Sequence, residues 1–159
     1  MKITDKYVFF WNGIYSQWHK AKMIIDGVEY SSCEQYMMHQ KAIVFSDFYI
    51  ASQILLTSDP KEQKALGRKI QGFNKDVWDS VCLSIVYKGN LAKFSQNENL
   101  KADLLSTENR ILVEASPLDK IWGIGMAEDH PDIESPEHWR GLNLLGWALN
   151  LVKQELNKK

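Results

Sequence analysis

Apolar and polar positions along the chain follow a strand period at first and then, for most of its length, a helical one. "KYVFFWNG" is aromatic and β-prone. "KAKMIIDGVEYSS" predicts a short hairpin with Asp26-Gly27 at the turn. A helix is predicted from Ser32 to Phe45. "SDFYIASQILL" then sets Phe48, Ala51, Ile54 and Leu55 at helical spacing. Asp59-Pro60 predicts a further helix start, with a cap ahead of a proline in the first turn. Glu62 is placed to complete a capping arrangement with Asp59. Two glycines in "GRKIQGFN" break the pattern, and Asn74 is expected to cap "KDVWDSVCLSIVYKGNLAKFSQN". On that helix Val77, Val81, Ile85 and Lys88 fall on one face. "ENLKADLLST" reads as a short helix, "RILVEAS" as a strand, and "LNLLGWALNLVKQELNKK" as a closing amphipathic helix. Between the last two, "PLDKIWGIGMAEDHPDIESPEHWRG" is long and punctuated by Gly and Pro, as functional loops often are. The expected class is α+β, predominantly helical with a few short strands. No repeat, low-complexity run or linker divides the chain, so residues 1–159 are expected to form one domain.

Composition narrows the function class. The 159 residues are 45% hydrophobic and 25% charged, with a net charge of −1. That balance suits a soluble globular protein and argues against general nucleic-acid binding, though not against a local basic pocket. No apolar run approaches the roughly 20 residues of a membrane helix. The start lacks the pattern of a signal peptide. The two cysteines, Cys33 and Cys82, show no paired spacing and read as free thiols of a reducing, cytoplasmic compartment. Six Trp, six Tyr and six Phe supply flat surfaces for packing or for stacking on a base.

Chemistry concentrates in "SSCEQYMMHQKA", residues 31 to 42. Ser31-x-x-Glu34 fits a capping box, with the glutamate reaching back to a backbone N–H. Glu34 then also lies where the helix dipole favours a carboxylate. Lys41 is seven residues on, on the same face and about 10 Å along the axis. Such a pair could bound a pocket for a sugar phosphate or a base, and a solvated surface lysine is the plainer alternative. His39 reads as a polar filler and Cys33 as a buried thiol. "EDHPDIESPEHW" lacks the helical His spacing or paired cysteines of a zinc site, so no metal is expected. Phosphate-loop, dinucleotide-fold and nucleophile-elbow motifs are missing. In "SPLDKIWGIG", Asp119 and Trp122 stand three apart with Gly123 and Gly125 behind them. They could hold a ribose and stack a heterocycle, or serve as a turn cap and a core residue; the spacing leaves both open.

Taken in order, "SSCEQYMMHQKA", "ALGRKIQGF", the helix with "VWDSV" and "KFSQNENLKADLLST", "LVEASPLDKIWGIG" and "WRGLNLLGWAL" resemble the NADAR family, which includes the YbiA-like N-glycosidases. The resemblance runs from about Phe9 to Val152. It implies cleavage of an N-glycosidic bond. The substrates it implies are ribosylamino-pyrimidine phosphates, early intermediates of riboflavin synthesis, or ADP-ribosylated guanine bases. A non-catalytic module binding ADP-ribose or NAD-like ligands is the remaining alternative. It implies Glu34, Asp119 and Lys41 as catalytic residues, and Trp78, Trp122, Arg68, Gly123 and Asn143 as substrate-binding ones, with no cofactor. Lys41 would either pair with phosphate or form a Schiff base with a ring-opened sugar. "YSQWHKAKM" departs from the family's F-S-N-F-like run, and the insert "MAEDHPDIESPEHW" is longer than in the shortest members; the insert could change the pocket's lid and so bears on substrate identity.

Overall fold

The computed structural model describes residues 1–158. Among them the chain runs β1 (Lys2–Ile3), β2 (Tyr7–Phe10), β3 (Met23–Ile25), β4 (Val28–Tyr30), α1 (Cys33–Val44), α2 (Phe48–Leu55), α3 (Pro60–Gly67), α4 (Lys75–Ser95), α5 (Glu98–Leu105), β5 (Ile111–Glu114) and α6 (Leu144–Leu156). A 3-10 turn at Pro136–His138 interrupts the long loop before α6. The protein is therefore α+β and predominantly helical, as its patterning predicts. β1, too short to leave a pattern, was not among the predicted elements. Two compact units form among the described residues, one from residues 17–97 and one from residues 1–16 with 98–158.

The continuous unit is a helical cluster around α1, which packs on α2, α3 and α4. The β3–β4 hairpin leads into it. Ile25 pairs with Val28 across Asp26 and Gly27, and both turn residues have positive φ, at 51° and 80°. That is the mirror-image turn whose twist matches paired strands. Asn74 caps α4 by accepting from Val77 N at 3.1 Å, and Asp59 caps α3 by accepting from Lys61 N at 2.9 Å.

Three local expectations are corrected here. Glu62 does not reach back to Asp59; its Oε2 accepts from Thr57 Oγ1 at 2.6 Å, and that same hydroxyl oxygen accepts from Asp59 N at 3.2 Å. Thr57 thus relays the capping interaction. On α4 the buried face is Cys82, Val86, Gly89, Asn90, Lys93 and Phe94, one position along from the Val77–Val81–Ile85–Lys88 stripe. Gly89 explains the shift: a Cβ there would stand 2.9 Å from the Tyr36 ring, so α4 turns its small residue toward α1. Asn90 and Lys93, fully buried, follow on the same side. The third correction concerns the cap of α1 and belongs with the site.

The discontinuous unit is built on a three-stranded sheet in the order β1-β2-β5. β1 runs antiparallel to β2, and β2 parallel to β5, with Tyr7 opposite Ile111 and Phe10 opposite Glu114. Phe9, Val113, Ala115, Ile124, Met126 and Ile133 form its core, with Tyr7 and Trp139 at the edge. Helix α6 packs on β5.

Candidate functional site

Helix α1 begins where Ser32 breaks from the extended hairpin. Ser32 Oγ accepts from Gln35 N at 3.1 Å, and Gln35 Oε1 accepts from Ser31 N at 2.7 Å. The capping pair is therefore Ser32 with Gln35, not Ser31 with Glu34. A one-residue shift is enough, because each of two adjacent serines stands three before an acid or amide. Glu34 sits in the first helical turn, 4% exposed. Its backbone N–H donates to Gln17 O at 3.0 Å, fixing the residue from outside the helix.

The field of Glu34 reaches both neighbours that the sequence raised. It adds to the burial that pushes the Cys33 thiol up to about 11, against an opposing pull from Lys93. Cys33 is thus the inert buried thiol expected of it. Burial pulls the Lys41 amine below its ordinary value, Glu34 pulls it back up, and Arg68 pushes it down again. His39 is half-buried and exchanges a hydrogen bond with the Tyr30 hydroxyl at 2.9 Å.

Around Lys41 the unit assembles a compact set. The Lys41 Nζ donates to Gly67 O at 3.3 Å. It also stands 4.8 Å from the centre of the Phe73 ring and 5.8 Å from that of Trp78. Gly67 lets the end of α3 come close, since a Cβ there would run into the Met38 sulfur. Arg68 follows at the exposed end of α3, and Trp78 is half-buried in the first turns of α4. Glu34, Lys41, Arg68 and Trp78, chosen on sequence, all lie in one unit: two aromatic faces and a carbonyl stand about the amine, and Glu34 and Arg68 act on it through their charge. Phe73 was not singled out from sequence. Its only signal was an aromatic residue in the otherwise polar breaker "GRKIQGFN".

Asp119, Trp122, Gly123 and Asn143 belong to the other unit. Asp119 Oδ1 accepts from Ile121 N at 2.9 Å and Trp122 N at 2.8 Å, closing a tight turn. Trp122 is half-buried just after it. Gly123 packs so closely that a Cβ would lie 2.9 Å from Glu114 O. Asn143 starts α6 in the left-handed region, φ 52°. Its Oδ1 accepts from Glu114 N at 2.9 Å and its Nδ2 donates to Leu112 O at 3.2 Å. The amide thereby staples α6 to β5.

A groove of about 540 Å³ opens elsewhere on the continuous unit, lined by Lys20, Lys22, Tyr30, Ser31, Leu56 and Thr57 among others. Neither Glu34, Lys41, Arg68 nor Trp78 lines it. The groove offers space, but the amine and its aromatic faces favour the Lys41 cluster, and chemistry is the better guide to a reactive site.

The NADAR domain family model matches residues 8–157. The chain is 43% identical to N-glycosidase R617 of Acanthamoeba polyphaga mimivirus, across 96% of this chain and 97% of that protein. It is 35% identical to the chloroplastic riboflavin biosynthesis protein PYRR of Zea mays, across 67% of this chain but 16% of that longer one. The NMR structure of YbiA from E. coli superimposes with a TM-score of 0.79 at 28% identity, covering 98% of this chain and 87% of that one. YbiA is itself named an N-glycosidase.

Proposed function

The chain belongs to the NADAR domain family and is an N-glycosidase, and from that premise we propose that it hydrolyses the C1′–N bond of ribosylamino-pyrimidine phosphates, intermediates of riboflavin synthesis. The carrying observation is the Lys41 cluster, in which an amine held below its ordinary pKa sits within the field of a buried acid. The riboflavin class is supported by the name of the PYRR relative.

The chemistry proposed for the cluster runs in two halves. Opening of the ribosylamine ring exposes C1′ as an electrophile. The neutral Lys41 amine adds there, the base leaves with its nitrogen protonated, and a Schiff base joins Nζ to C1′. Water then adds to C1′, the C–Nζ bond breaks, and the sugar phosphate departs. A lowered pKa raises the share of neutral amine available for the first half. Glu34 stabilises the positive charge that develops at C1′ and takes the proton from the attacking water. Arg68, an exposed fork of donors, grips the phosphate, and the Trp78 ring faces the base. Asp119 is proposed as a second carboxylate, one oxygen of which is already held by two backbone N–H groups. Trp122 and Gly123 are proposed to contact substrate on that loop, and Asn143 to shape it.

The decisive experiment incubates the protein with ribosylamino-pyrimidine phosphate and, in parallel, with ADP-ribosylated guanine, and quantifies free base by chromatography. Release from the first alone is the expected result. Release from the second alone reassigns the substrate, and release from neither overturns the enzymatic proposal. Borohydride added during turnover should fix sugar phosphate on Lys41, as seen by peptide mass spectrometry.

A further inference from the structure

Phe73 is 47% exposed, yet its position is fixed from several sides. Asp47 uses one carboxylate oxygen to cap α2, accepting from Ile50 N at 3.1 Å. The other oxygen accepts from Gln71 N at 2.9 Å, which ties down the segment before Phe73. Gly72 follows with φ +77°, a backbone conformation that L side chains rarely adopt, and its missing Cβ would lie 3.8 Å from Phe45 O. Phe45 then meets Phe73 edge to face, ring centres 5.3 Å apart at 64°. Phe45 is the residue that ends α1, and its N–H donates to Lys41 O at 3.3 Å. Being four residues apart, Lys41 and Phe45 share one face of the helix, and Phe73 lies against both.

Apolar burial alone does not account for a ring kept half in water by a carboxylate clamp, a left-handed glycine and an aromatic edge. What the clamp achieves is the 4.8 Å approach of the ring to the Lys41 Nζ. Trp78 offers a second face and Gly67 O a hydrogen bond. These three partners replace much of the water an ammonium would otherwise hold, and they fix its direction. A flexible four-carbon stem has no preferred aim by itself.

We infer that Phe73 is a positioning residue for Lys41: with Trp78 and Gly67 O it cradles the amine and aims Nζ at the reacting carbon, and Asp47, from the start of α2, and Gly72, beside Phe73, hold the ring there. The inference deepens the proposed function and rests on Lys41 being the reacting amine. The cradle itself is a property of the free protein, and it is tested without substrate.

The test uses Phe73→Leu, which keeps bulk and loses the ring face, and Phe73→Tyr, which restores it. Lys41 is acylated with trace acetic anhydride across a pH series, and the modified peptide is quantified by mass spectrometry. Glu34 and Arg68, the charged groups acting on Lys41, are left intact in both variants. A lost ring face favours the neutral amine, so the Leu variant should be labelled with a midpoint lower by roughly half a pH unit to one unit. The Tyr variant should return to the wild-type curve. A Leu curve that superimposes on wild type, or moves upward, overturns the cradle whatever the substrate proves to be. On the substrate that wild type turns over, Phe73→Leu should lower kcat by about tenfold with KM little changed. A change confined to KM overturns the aiming role. If no substrate is turned over, the proposed function fails, while the labelling curves still decide the cradle.

Discussion

Gln35 donates its N–H to Ser32 Oγ at 3.1 Å and turns its side chain to the far side of the same helix start, where Nε2 donates to Ile54 O at 3.1 Å and Thr57 O at 3.0 Å. One residue therefore caps α1 and ties it to the end of α2. Ser32→Ala should cost about 1 kcal/mol, the usual loss for a helix cap. Gln35→Ala removes several bonds, among them the Nε2 donor to the buried Ile54 carbonyl, while Thr57 O keeps its bond from Gln63 Nε2, and should cost about 2–3 kcal/mol. Urea unfolding checks both, and equal midpoints for the two variants would contradict the double role.

Glu34→Gln keeps the shape of a buried residue in the first turn of α1. It should fold and bind, and lose about 10²- to 10⁴-fold in kcat. Base release and a binding titration on the same preparation separate the two. Full turnover in the Gln variant sinks the assignment.

The Lys41 amine lies below its ordinary value of 10.5, chiefly through burial. As pH rises between the folded pKa and 10.5, the native state loses its proton first, the unfolded state binds more protons, and stability rises. Below the folded value both states are charged and the folded one bears the burial penalty. Lys41→Met should therefore show its largest stability gain over wild type near pH 7, shrinking toward pH 10.5. Denaturation series at pH 7 and pH 10 test this, and a gain that does not change with pH counts against it.

Cys33 is 1% exposed and its thiol is pushed up to about 11. At pH 8 only about one molecule in a thousand carries the thiolate. Folded protein should leave Cys33 unmodified by an aromatic disulfide reagent and react only after denaturant is added. Rapid labelling of the native protein would place Cys33 back among the reactive groups.

Gly146 lies in helix α6, where Gly→Ala normally stabilises by about 1 kcal/mol. Here a Cβ would collide with Leu112 O and the Asn143 side-chain amide. Gly146→Ala should instead destabilise by about 2–4 kcal/mol, read as a lowered thermal midpoint. A stabilised variant would mean that α6 can move off β5 at little cost.

Local chemistry carried much of this structure into the sequence. Asp59 before Pro60, Asn74 before its helix and Asp26-Gly27 between strands each act within a few residues, and each lies where its pattern predicts. Ser31 and Ser32 show where such patterns degenerate. Both fit the capping spacing, and Gln35 is held by the carbonyls of Ile54 and Thr57, at and just beyond the end of α2, which the local pattern does not contain. The buried face of α4 was hidden because Gly89, Asn90 and Lys93 do not look like core, and their burial depends on Tyr36 and other distant partners. Glu34, Lys41, Arg68 and Trp78 were chosen through the family pattern, and all four fall in one unit. Phe73 was not, because its meaning arises from an approach to Lys41 across some thirty residues of chain.

The parallel pairing of β2 with β5 also sets an order of events on the ribosome. Phe10 cannot meet Glu114 until about a hundred further residues have been made, roughly 5–20 seconds of synthesis. Residues 17–97 are contiguous and emerge complete within that interval. The helical unit bearing the Lys41 cluster is thus free to fold while β2, with the exposed Trp11 just beyond it, still waits for β5. That interval is when the nascent chain carries an unpaired, strongly apolar edge, and when a chaperone would have most to protect.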